Sequence, residues 1–204
     1  MMYLSGVVYP PVLHWHYGGI MLTPEMGNTP CLDGVVWAAD NGCYTAGDRF
    51  SSENWLKFLR YWRGHGKCLF AVAPDVPFDM EATLERSVPF LPAIRALGYP
   101  AALAIQNGVE KCALPWDDFD AVFIAGDKPF KTCRIAREIC EEAKARGKHI
   151  HIARRNSAKA LQEAQGMGTD TCDGTFLRFG PNKNWLRMQR WFIVLQPHTQ
   201  MELW

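Results

Sequence analysis

What most constrains this chain is a unit that recurs along it. A short, largely apolar run of strand length stops on a polar residue, and a turn and usually a helical pattern follow. The runs are Tyr3–Val8, Val35–Ala39, Cys68–Ala73, Ala101–Ile105, Ala121–Ala125, His149–Ala153 and Thr171–Thr175, with a weaker one at Ile20–Thr23. Strands alternating with helices imply βα units and a parallel sheet. Most of these strands lack polar alternation, which suits a sheet covered on both faces. Seven or eight such units predict an α/β fold, a compact (β/α)8 barrel of the TIM type, read as a single domain over residues 1–204. A doubly wound open sheet is the competitor, but no G-x-G-x-x-G follows the first strand.

The intervening helices carry their own signals. Ser51-Ser52-Glu53 opens one through Trp55, Phe58, Leu59 and Trp62. Asp79 is a cap for Met80 to Leu97, which Pro89 and Pro92 bend or interrupt. Lys131 to Arg146 is amphipathic and ends at Gly147, and Asn156 is a cap for Ser157–Gln165. With 48% hydrophobic residues the chain can bury a large core, and a net charge of +1 confines any nucleic-acid contact to local patches. The seven cysteines contain no C-x-x-C pair, which predicts neither a disulfide framework nor a structural zinc. Scattered thiols and the lack of a signal-peptide pattern or an apolar span point to a soluble protein of a reducing cytoplasm. His14 and His16 beside Tyr17-Gly18-Gly19 lack a third ligand, so no metal and no cofactor is expected.

The polar strand ends carry the functional content. In a (β/α)8 barrel they converge on one face, where active sites sit. That gathers Asp40, Asp75, Gln106, Gly126, Arg154 and Asp173 around one pocket. Taken singly, each is an ordinary turn or cap residue, and Asp79, Asp127 and Asn156 read as nothing more. Taken as a set, paired acids without H-E-x-x-H, a P-loop or G-x-S-x-G suit cleavage of a glycosidic bond, where one carboxylate attacks the anomeric carbon and another moves protons.

Asp40-Asn41-Gly42-Cys43-Tyr44, Ala73-Pro74-Asp75, Ala104-Ile105-Gln106-Asn107-Gly108, Phe123-Ile124-Ala125-Gly126 and Gly168 to Thr175 together resemble, in the right order, the motifs of the tRNA-guanine transglycosylases and their DNA-modifying relatives. Those (β/α)8 enzymes exchange guanine in a polynucleotide for a 7-deazaguanine. The resemblance covers Val35 to Thr175. It implies Asp173 as the nucleophile on C1′ and Asp40 as the general acid and base. It implies Asp75 and Gln106 as readers of the Watson–Crick face of a purine, with Gly126 adding an N–H donor and Tyr44 or Phe78 stacking on the base. Members that act on tRNA carry a C-x-C-x-x-C…H zinc site beyond the nucleophile. This chain has no such spacing and resembles compact phage or bacterial DNA-modifying relatives more closely.

The implied partners are a nucleic acid, DNA or tRNA, and a free purine or 7-deazapurine base. A base drawn out of its stack needs backbone clamps. Lys128, Lys131, Arg154 and Arg155 follow strands, and Arg178, Lys183, Arg187 and Arg190 follow Asp173 with Trp185 and Trp191 among them. This C-terminal segment, 178–204, reads either as a basic, aromatic surface or as a helix whose tryptophans pack on the barrel. Other functions compatible with the residues are base excision by water, nucleic-acid binding without catalysis, and a small-molecule lyase or hydrolase.

Overall fold

The computed structural model describes residues 1–26 and 31–195. Eight parallel strands close into a barrel in chain order: β1 (Met2–Ser5), β2 (Gly18–Leu22), β3 (Val36–Ala39), β4 (Lys67–Val72), β5 (Ala101–Ile105), β6 (Ala121–Ile124), β7 (His149–Ile152) and β8 (Thr171–Gly174), with β8 pairing back onto β1. The architecture is a compact TIM-type barrel. The helices are α1 (Pro10–Leu13), α2 (Cys43–Ala46), α3 (Ser52–Tyr61), α4 (Met80–Ser87), α5 (Leu91–Ala96), α6 (Arg134–Ala145), α7 (Ala158–Gly166) and α8 (Pro181–Leu195). Among the described residues, no helix is long and apolar enough to cross a membrane.

Two apolar clusters hold this together. One fills the barrel and is dominated by small side chains: Ala38, Ala102, Ala104, Ala121 and Ala153, with Leu4, Met21, Phe70, Val72 and Phe123. The other lies between strands and helices and contains the bulky residues, among them Trp37, Trp55, Ile94, Ile124 and Phe192. Alternate residues of each strand face these two layers, which is why most of the runs read as continuously apolar.

Several boundaries differ from the sequence expectation. β1 stops at Ser5 because the Ser5 hydroxyl turns back on its own chain, donating to the Val7 carbonyl at 2.8 Å. β2 starts earlier, at Gly18-Gly19. A Cβ at Gly18 would lie 1.9 Å from the Val12 carbonyl oxygen, and one at Gly19 would lie 2.6 Å from that of Val36. These glycines serve close backbone approach within the sheet rather than a turn. The Met80 to Leu97 pattern divides at Pro89 into α4, a 3-10 turn over Val88–Phe90, and α5. Lys131 falls in a separate turn, Phe130–Thr132, ahead of α6. Ser157 rather than Asn156 caps α7, accepting from the Ala160 N–H, while Asn156 Oδ1 accepts from the Thr175 N–H at 2.7 Å and ties the β7 and β8 loops together.

The ring of helices is incomplete. Between β5 and β6 only 3-10 turns occur, and between β1 and β2 only the single turn of α1. At the β1–β2 connection, aromatic side chains take over the covering role: Trp15 packs edge-on against Trp185 of α8 at 5.1 Å and Phe192 at 4.7 Å. Beyond β8, Trp191 of α8 lies against Phe176 at 4.5 Å. Trp185 and Trp191 are therefore packing residues of α8 rather than part of an aromatic surface, and residues 196–204 of that expected surface lie outside the described residues.

Candidate active site

The C-terminal ends of the strands surround an open pocket lined by Asp40, Asp75, Gln106, Lys131, Arg154 and Asp173, with Tyr44 and Phe78 at its rim. The polar strand ends thus do converge, and each is delivered by its own loop.

After β3, the turn Asp40-Asn41-Gly42 is held by its own side chains. The Gly42 N–H donates to Asp40 Oδ1 at 3.1 Å, and the Cys43 N–H donates to Asn41 Oδ1 at 2.7 Å, with Gly42 at φ +77°. Asn41 is 2% exposed. Its Nδ2 reaches the Ala73 carbonyl at 2.8 Å and Asp75 Oδ1 at 2.9 Å, which uses both amide hydrogens. Gln106 secures Asp75 from the other side, donating from Nε2 to Oδ2 at 2.6 Å. The Gln106 Oε1 accepts from the Phe78 N–H at 3.0 Å and the Gly126 N–H at 2.8 Å. Two backbone donors on one oxygen fix the amide's orientation, and Gln106 approaches a base only through its second Nε2 hydrogen. The expected Gly126 donor is corrected by the same contact, since that N–H is already given to Gln106.

Among the described residues, Phe78 (φ +68°) and Arg154 (φ +61°) are the non-glycine residues in the left-handed region, and both line the pocket. Such conformations persist where surrounding bonds over-determine them. Here Gln106 captures the Phe78 N–H and Asp173 Oδ1 captures the Arg154 N–H at 2.9 Å. Gly126 (φ +65°) admits no side chain: a Cβ would lie 2.4 Å from the Phe130 ring and 2.9 Å from Asn107 Oδ1. Gly126→Ala is therefore expected to destabilise the protein by about 1–3 kcal/mol, read as a lower urea midpoint at unchanged slope.

Burial dominates the electrostatics. It raises Asp40 to about 7, with the Asp75 and Asp173 carboxylates adding to the rise and the Gly42 N–H and Arg154 opposing it. Burial also raises Asp75, against the hydrogen bonds from Asn41 and Gln106. Lys131, 7% exposed, is pushed down to about 8 by burial and by the Arg154 cation, against the pull of Asp173. A buried carboxyl raised to about 7 that shares a pocket with a second carboxyl is poised to exchange protons near neutral pH.

No protein-family model matches the chain, and no curated protein matches it.

The expected basic residues separate into groups. Lys128, Lys131 and Arg154 line a groove that continues from the pocket toward α7. Arg155 lines the same groove but is 4% exposed and is committed to Glu163 at 3.1 Å, so it acts as an internal pair rather than a phosphate clamp. Arg178, Lys183, Arg187 and Arg190 lie on the turn after β8 and on α8, outside the pocket lining. Asp79 caps α4 and Asp127 accepts from the Phe130 N–H at 2.8 Å, as turn residues do. Among the described residues, His14 and His16 belong to no group of three potential metal ligands. Sequence reading missed Asn41 as an orienting residue, and it missed His151, whose Nε2 lies 3.1 Å from Asp173 Oδ1. The available signal for the histidines was the His-Ile-His-Ile alternation of β7, which puts both rings on one face.

Proposed function

We propose that this chain is a guanine transglycosylase that exchanges guanine for a 7-deazaguanine-type base in a polynucleotide, DNA in preference to tRNA. The observation that carries the reading is the convergence of Asp40, Asp75, Gln106 and Asp173 in one pocket with Tyr44 and Phe78 at its rim. The ordered motifs that resemble the tRNA-guanine transglycosylases supply the substrate class. The resemblance to the DNA-modifying relatives favours DNA, and unpaired thiols suit a reducing cytoplasm.

In this mechanism, an Asp173 oxygen attacks C1′ of the target nucleotide. The C1′–N9 bond breaks, its electron pair passes to guanine, and Asp40 protonates the departing base. The incoming base loses its N9 proton to Asp40 and attacks C1′. The bond from C1′ to Asp173 then breaks, returning its electrons to the carboxylate. Asp75, fixed by Asn41 and Gln106, accepts from the N1–H and 2-amino groups of a guanine edge, and the second Gln106 Nε2 hydrogen faces O6. The Arg154 guanidinium lies 3.7 Å over the Tyr44 ring. A purine stacked on Tyr44 takes that place and turns the cation toward a phosphate.

The test is incubation with labelled guanine and either DNA or tRNA. Exchange gives incorporation into the polymer. Abasic sites without incorporation would make the chain a base-excising N-glycosidase, and neither product would overturn the reading. Lys128→Ala and Arg154→Ala are each expected to weaken polynucleotide binding and to make the plot of log affinity against log salt shallower by about one unit. A titration at several salt concentrations measures this.

A further inference from the structure

β7 turns Ile150 and Ile152 toward the helices and His149 and His151 into the barrel, where β8 adds Thr171 and Asp173. The rest of that interior is apolar, so an imidazole there is costly unless its nitrogens are partnered. His151 is wholly buried and stacks on Phe123 at 4.7 Å and 14°. Its Nδ1 lies 2.8 Å from Thr171 Oγ1, and its Nε2 lies 3.1 Å from Asp173 Oδ1. The same Thr171 oxygen lies 2.8 Å from His149 Nε2. A continuous chain, His149–Thr171–His151–Asp173, therefore runs through the barrel to the pocket.

Asp173 Oδ1 already accepts the Arg154 N–H, and it meets His151 Nε2 as an acceptor. His151 must then carry hydrogen on Nε2, and in the neutral ring Nδ1 accepts. Thr171 has one hydrogen to give, and it goes to that Nδ1. The Thr171 oxygen in turn accepts from a His149 Nε2–H. Burial holds His149 neutral, pushing it down to about 4, with Asp170 opposing and His151 reinforcing. The titratable groups that face Asp173 from elsewhere are Tyr3 on β1, Asp40 after β3, Lys131 after β6 and Arg155 after β7, and none of them hydrogen-bonds either histidine.

We propose that His149 and Thr171 are positioning residues that hold His151 as its Nε2–H tautomer and, through it, hold Asp173 with Oδ1 engaged and Oδ2 left for attack. The catalytic part of this rests on Asp173 being the nucleophile; the tautomer does not. A metal-ligating histidine is commonly oriented by the group on its other nitrogen, at a value of about 10–100-fold, and a nucleophile held the same way should gain similarly.

The test begins with nitrogen-15 NMR of the histidine rings in the wild-type protein at pH 7. Both rings are expected as the Nε2–H tautomer. A His151 protonated on Nδ1 alone, or on both nitrogens, overturns the proposal whether or not the protein exchanges bases. Thr171→Val removes the hydroxyl at nearly constant shape, and Thr171→Ser keeps it. In Thr171→Val the His151 Nδ1 resonance should move to that of an unbonded nitrogen. Its kcat for exchange should fall about 10–100-fold at unchanged KM. Thr171→Ser should restore both. Equal kcat in all three proteins overturns the positioning role. The expected tautomers in a protein that exchanges nothing would count instead against the transglycosylase reading.

Discussion

Asp173→Ala is expected to abolish base exchange and covalent trapping on the polynucleotide. A side chain that forms the covalent bond has no substitute at C1′, and loss of a nucleophile typically costs at least about 10⁴-fold. The substitution also leaves the Arg154 N–H and the His151 Nε2 without their shared acceptor. Some lost stability would then confound the result. Asp173→Asn resolves this, because its Oδ1 still accepts both bonds while the amide is not a nucleophile. Both variants should be inactive, the asparagine variant at near wild-type Tm. A denaturing gel of enzyme incubated with DNA reads the adduct. An adduct formed by Asp173→Asn would assign the nucleophile to another residue.

Asp40→Asn is expected to slow exchange by about 10²–10⁴-fold, the usual worth of general acid–base help, and to leave residual activity. Its effect on stability has a definite sign. Burial raises the folded Asp40 to about 7 from an ordinary 3.8. The folded protein therefore binds a proton that the unfolded chain has released. The corresponding stability is fully present below about 3.8 and is lost as pH rises through about 7. Asp40→Asn has no such loss, since its neutral amide still accepts from the Gly42 N–H. The variant should melt several degrees above the wild type at pH 8.5, and the gap should close toward pH 5. Thermal melts at the two pH values measure it. An active site that is more stable once its acid is neutralised is the usual trade between stability and activity. Equal melting at pH 8.5 would mean that Asp40 does not titrate in that window.

The legible and illegible parts of the site divide by distance along the chain. Asp40, Asp75, Gln106 and Asp173 could be found because each follows its own apolar run, and a closed parallel barrel brings all such ends to one face. Their partners could not be found that way. Asn41 looked like a turn residue beside Asp40, yet its amide serves Asp75, 34 residues on. Gln106 looked like a reader of the base. Most of its amide is instead consumed by Asp75, 31 residues back, and by the Gly126 N–H, 20 residues on. Arg155 looked like a phosphate clamp and is a buried partner of Glu163. A hydrogen-bond partner is chosen by which groups meet in space and by which lone pairs remain open, and neither quantity has a periodicity.

By itself, the sequence determined the barrel, the two apolar layers and the face on which the polar strand ends gather. Those follow from the alternation of strand and helix patterns and from turn chemistry, which act between near neighbours. Only the tertiary structure decided what each polar group is free to do. Closure of β8 against β7 and β1 set His151 and Thr171 beneath Asp173, and the packing of α8 turned Trp185 and Trp191 onto the barrel. Burial at the strand ends, where water competes less for charges and hydrogen bonds, lifted Asp40 toward neutrality.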